Sequence, residues 1–119
     1  MGSVVPMTVE RFEELVGLAL DTIPARLAAA MDNVVVMVEA EPPADLPDLL
    51  GLYEGIPLTE RDGWYAGVLP DRITLFRGPL LRRCSNEAEV VEEVRITVVH
   101  EVAHHFGIDD DELDRLGYA

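Results

Sequence analysis

Apolar residues along this chain recur with two periods, and the switches between them mark the elements. Val9, Phe12, Leu15, Val16, Ala19 and Leu20 fall three and four apart, which predicts an amphipathic helix. Thr8 stands where an N-cap belongs. Glu10, Glu13 and Glu14 lie early in the segment, where the helix dipole favours acids. Thr22-Ile23-Pro24 opens a second, short helix that runs to Met31, and Asn33 can end it. Val34 to Val38 is then a continuous β-branched run, predicted to be a central strand. Pro42, Pro43 and Pro47 make the next segment a loop. A short strand is expected around Leu52 to Glu54, a turn at Arg61-Asp62-Gly63 and an irregular extended piece from Tyr65. Asp71 to Arg77 reads as a strand with Ile73 and Leu75 on one face and Thr74 and Phe76 on the other. Gly78-Pro79 stops it, and Pro79 to Arg83 forms one helical turn.

The last long element needs a decision. From Glu87 to Phe106 the chain is rich in β-branched valines, which suit strands. Yet about twenty residues without a breaker is too long for an ordinary strand. Ser85 or Asn86 can cap a helix here, and Glu87, Glu89, Glu92 and Glu93 crowd its first half. Val91, Val94, Val98, Val102 and Phe106 lie near one line on such a helix and form its expected core stripe. A final short helix is expected from Asp111 to Leu116. The sum is an α+β fold.

Composition narrows the function classes. A length of 119 residues suits one domain, 1–119, with residues 1–7 a disordered or extraneous N-terminal stretch. Apolar residues make up 49%, enough to bury a core. No apolar run is long enough to span a bilayer, so no membrane association is expected. Met1 to Met7 lacks the basic-then-apolar pattern of a secretory signal. Cys84 is the single cysteine, so no internal disulfide can form, which fits a reducing cytoplasm; it is expected to be a small buried residue. The net charge of −14 would repel phosphate backbones and argues against nucleic acid as a partner. It serves solubility first, and it also favours capture of basic peptides.

The candidate chemistry sits in His100-Glu101-Val102-Ala103-His104-His105-Phe106-Gly107-Ile108-Asp109-Asp110. On a helix, residues four apart share a face, so His100 and His104 can aim two imidazoles at one metal ion. Glu101 lies beside that pair, placed to take a proton from a water held there. Gly107 can adopt the left-handed conformation that ends a helix. Asp110 is then the expected third ligand; Asp109 or Asp111 could coordinate instead, orient a ligand histidine, or cap the last helix. Two imidazoles and a carboxylate suit zinc, Zn2+, and also non-haem iron; the interposed Glu101 favours hydrolysis and therefore zinc. His105 points about a hundred degrees from His104 and is expected to pack or hydrogen-bond. Tyr53, Trp64, Tyr65 and Tyr118 can each steady an oxyanion, with packing the plainer role. Arg72 and Arg77 are expected in ion pairs rather than on a peptide carboxylate.

His100, Glu101, His104, Gly107 and Asp110 together resemble the extended motif of the zincin metallopeptidases. Leu49 to Arg61 and Leu69 to Leu80 are similar to signatures of the bacterial zincin-like metallopeptidase family, and the resemblance spans about residues 8 to 117. It implies a minimal single-domain zincin: a small mixed sheet of three to four strands packed with helices, with zinc on the long C-terminal helix. It also implies a peptide or protein substrate, with an exposed strand, expected at Ile73 to Phe76, aligning it. Two features depart from larger zincins. Met1, Met7, Met31 and Met37 all precede the motif, so none can form a Met-turn, and only nine residues follow Asp110. A protein partner completing the substrate cleft, or a zinc-binding module with weak or no catalysis, is the alternative expectation.

Overall fold

The computed structural model describes residues 7–55, 70–108, 111–112 and 115. Helix α1 covers Val9–Asp21, and α2 covers Ala25–Ala30. Strands β1 (Val34–Glu39), β2 (Gly51–Glu54) and β3 (Asp71–Phe76) follow. Helix α3 is Arg77–Arg82, and α4 is Glu87–His105.

The starts of α1 and α4 are set by residues expected to set them. The Thr8 hydroxyl accepts from the Arg11 amide at 3.1 Å. The Asn86 side chain accepts from the Glu89 amide at 2.9 Å, and the Glu89 carboxylate reaches back to the Ser85 amide at 2.6 Å. These contacts satisfy donors that the first helical turn leaves without partners. Helix α3 starts at Arg77, two residues earlier than expected. Pro79 then falls in its first turn, where the missing amide hydrogen removes no helical bond.

Among the described residues the sheet is mixed, in the order β1-β3-β2. β1 runs parallel to β3, with Val36 opposite Ile73, and β2 runs antiparallel to it, with Tyr53 opposite Ile73. Two expectations need correction. The valine run of β1 is a flanking strand, with Val35 and Met37 exposed, and β3 is the central one. Its Ile73, Thr74, Leu75 and Phe76 are all buried, because a strand covered on both faces is selected for burial on both. For the same reason Ile73 to Phe76 cannot align a peptide. Its backbone is already paired on both sides.

One core joins α1, α4 and the sheet. Phe12, Leu15, Val16 and Ala19 of α1 meet Val90, Val94, Val98, Val99 and Val102 of α4 in one cluster with Ile73 and Leu75 of β3. The expected stripe on α4 is therefore shifted. Val90 is fully buried, whereas Phe106, beyond the last helical residue, is 49% exposed. Cys84 is buried among these residues, as expected. Burial, then the Glu93 and Glu89 carboxylates, push its thiol up to about 11. Arg72 pairs with Glu54 at 3.4 Å, the ion-pair role expected of it.

The contact that sets the distance between sheet and helix is at Gly51. A Cβ there would lie 2.7 Å from the Thr97 methyl of α4 and 3.3 Å from the Thr74 carbonyl oxygen. Only glycine lets β2 come this close to α4. Gly51→Ala should therefore lower unfolding free energy by about 1–3 kcal/mol, the usual range for overpacking. Thr97→Ser deletes the opposing methyl and keeps a hydroxyl able to reach the Glu93 carbonyl, which Thr97 bonds at 2.8 Å. Urea denaturation of the double variant should recover part of the loss. A double variant no more stable than Gly51→Ala would mean that the methyl is not what resists.

Candidate metal centre

The C-terminal half of α4 carries the motif. Its inner face is buried at Val98, Val102 and Ala103, which fixes the helix rotation and turns His100 and His104 outward. His100 is half-buried and His104 exposed. Their ring centroids lie 5.9 Å apart with planes 21° from parallel. With metal–nitrogen distances of about 2.0–2.1 Å, one ion can touch a nitrogen of each ring only if the centroids are within about 6.4 Å. The pair meets that limit, and two imidazole nitrogens are donors that zinc accepts. Among the described residues no group of three or more His, Cys, Asp or Glu side chains converges as a metal site. Asp109 and Asp110 lie outside the described residues, while Asp111 is exposed.

The helix ends as its glycine requires. Gly107 has φ +78°, and its amide donates to the His104 carbonyl at 3.2 Å. The Ile108 amide donates to the Ala103 carbonyl at 2.8 Å. These two bonds make a Schellman turn, which satisfies late carbonyls and reverses the chain directly after the motif. Ile108 packs against the core cluster and holds the turn down.

Glu101 faces the edge of the sheet. Its Oε1 accepts a hydrogen bond from the Tyr53 amide of β2 at 3.2 Å. The register explains why this amide points there. The Phe76 amide donates to the Leu50 carbonyl, so residues 50, 52 and 54 bond to β3 while Gly51 and Tyr53 face away from it. The Tyr53 hydroxyl donates to Asp71 Oδ2 at 2.8 Å, and its ring stacks on His105 with centroids 3.9 Å apart. His105 Nε2 lies 3.9 Å from the same Asp71 oxygen. His105 thus has the packing role expected of it. Neither a role for Asp71 nor the Tyr53–Glu101 bond is expected from the sequence. Both depend on strand register, which leaves no local signal.

Beside His100 and Glu101 lies an open cavity of about 470 Å³. Leu49, Leu50, Gly51 and Ile96 give it apolar walls, and Asp48, Arg83 and Glu93 also line it. Arg83 Nε pairs with Glu93 Oε1 at 3.0 Å, so the charges there are partly compensated.

Comparison with known proteins identifies the family. A sequence profile of the zincin-like metallopeptidases matches residues 31–118, and the chain belongs to that family. A solved structure of a conserved hypothetical protein from Thermo thermophilus is similar at 28% identity, with a TM-score of 0.56. The alignment covers 83% of this chain and 94% of that one. A search of curated proteins gives no match. No described helix is long and apolar enough to cross a membrane.

Gly107 is the position where the turn is most exposed to mutation. Nothing lies within 4 Å of a Cβ built there, so the cost of a side chain is conformational. Gly107→Ala should lose about 1 kcal/mol of stability and Gly107→Asn less, since Asn tolerates φ > 0 better. Thermal denaturation of both variants checks the order. Equal stability of wild type and Gly107→Ala would contradict the turn as described.

Proposed function

We propose that this chain is a zinc-dependent peptidase in which His100 and His104 bind the metal, Asp110 is the third ligand and Glu101 is the general base. The observation that carries the reading is the outward-facing imidazole pair, one helical turn apart, with Glu101 on the lining of the adjoining cavity. Bound zinc supplies a Lewis acid for the scissile carbonyl and brings the acidity of a water molecule to near pH 7. With the metal held by His100 and His104, Glu101 would accept a proton from the attacking water and return it to the leaving amine. The bond from the Tyr53 amide occupies Oε1 and leaves Oε2 for this exchange. Gly51 lines the same cavity, which is the space beside the motif open to a peptide substrate. The cavity size suits a side chain of such a peptide.

The deciding experiment compares wild type with Glu101→Gln, both zinc-loaded, on a broad peptide library. Wild type should cleave, and Glu101→Gln should lose at least about a hundredfold in kcat/KM, the lower end of what a positioned acid–base group contributes, while still binding zinc. A zinc-loaded wild type that cleaves nothing, with melting temperature and partner binding equal in both proteins, would instead mark a metal-stabilised binding module.

The charge of −14 adds a second expectation, namely substrates rich in Lys and Arg. Their kcat/KM should fall several-fold as ionic strength rises from about 0.01 M to 0.15 M, because the Debye length shortens from about 30 Å to 8 Å. Rates independent of salt would remove electrostatic capture from the mechanism.

A further inference from the structure

Tyr53 touches the motif helix with two different groups and is itself anchored by a third. Its amide donates to Glu101 Oε1 at 3.2 Å. Its ring lies on His105 at 3.9 Å, with planes 20° from parallel. Its hydroxyl donates to Asp71 Oδ2 at 2.8 Å, and Asp71 opens the central strand. Glu101 follows His100 and His105 follows His104 in the chain, so each contact falls on the neighbour of a metal-binding imidazole. His105 also meets the Phe106 ring edge-on, with centroids 5.0 Å apart, just before the Gly107 turn.

From this geometry we infer that Tyr53 is the positioning residue of the metal-binding turn. Resting on the metallopeptidase reading above, the inference gives that site a support from outside its own helix. The last turn of α4 is buried beneath at Val102 and Ala103 and exposed on its outer side at His104, His105 and Phe106. The Gly107 turn and Ile108 hold the end of this helix from beyond the motif. Tyr53 holds it from the sheet side, and the Asp71 bond keeps the tyrosine ring from rotating away. The same residue fixes which oxygen of Glu101 is engaged. One residue on a four-residue strand thus meets the general base through its backbone amide and the neighbour of the second imidazole through its ring. Groups bonded directly to a metal ligand are typically worth about 10- to 100-fold in metal affinity, and Tyr53 acts one residue removed from each imidazole.

The test uses the full chain and two variants, Tyr53→Ala and Tyr53→Phe. Zinc affinity is measured by competition with a chromophoric chelator, and the visible absorption of the cobalt(II)-loaded protein reports ligand geometry. Tyr53→Ala removes the ring and the hydroxyl, leaves the amide that bonds Glu101, and should weaken zinc binding more than threefold, up to about tenfold, and shift the cobalt bands. Tyr53→Phe keeps the stack and loses only the Asp71 bond. It should recover affinity to within a few-fold of wild type, and it remains informative if Tyr53→Ala does not fold. In that event a threefold or smaller but reproducible loss with Tyr53→Phe supports the inference, and none overturns it. A lower melting temperature with unchanged zinc affinity and unchanged cobalt bands would reduce Tyr53 to a packing residue and overturn it. A wild type that binds zinc but cleaves no peptide would end the peptidase reading and leave this inference to the affinity data. A wild type that binds no zinc would end both.

Discussion

Helix α4 must satisfy two opposed demands, and the fold follows from how it does so. One side must be dry enough to hold the domain together. The other must stay wet enough to offer two imidazoles and a carboxylate. Val90, Val94, Val98 and Val102 meet the first demand against α1 and β3. Burying that side leaves no freedom in helix rotation, and the spacing of His100 and His104 then places both rings on the opposite side. Intrinsic propensity works against this helix, since valine favours strands. Capping at Asn86, the turn at Gly107 and the burial of the valine side outweigh it.

The sheet serves that helix more than it serves itself. Its central strand is buried on both faces, its β1 flank is half-exposed, and its shortest strand, β2, is the one that meets the candidate site. Gly51 sets how closely β2 can approach, and Tyr53 makes the contacts once it is there. Glycine and tyrosine two residues apart on a four-residue strand therefore do different jobs at the same interface. One removes bulk and the other supplies polar and aromatic groups. The remaining charge is mostly at the surface. Arg11, for example, bonds both Glu14 and Glu87 and pulls the Glu87 carboxyl below its ordinary range, but this pair is exposed and adds little.

Much of the candidate site was legible because its determinants are local. Histidines four apart, a helix cap at Asn86 and a glycine stop at Gly107 are each set by a few consecutive residues, and the structure places all three as the pattern implies. Sheet order was not legible in this way. A run of valines signals burial but does not say which neighbour provides it, so β1 was expected at the centre and β3 holds that position. The stripe on α4 begins at Val90 rather than Val91, since the two are equally apolar and only the partner α1 chooses between them. The contacts of Tyr53 with Glu101, Asp71 and His105 span separations of 18 to 52 residues and depend on register. The third ligand expected at Asp110 lies outside the described residues.

The central claim is that one helix presents two imidazoles to a single metal ion. Zinc-edge X-ray absorption of the purified, zinc-loaded protein tests it without reference to any substrate. The expected result is one zinc per chain, a first shell of nitrogen and oxygen at about 2.0–2.1 Å with imidazole scattering from two rings, and loss of that signal in His104→Ala. Sulfur in the first shell, scattering from fewer than two imidazoles, or a spectrum unchanged in His104→Ala would contradict it.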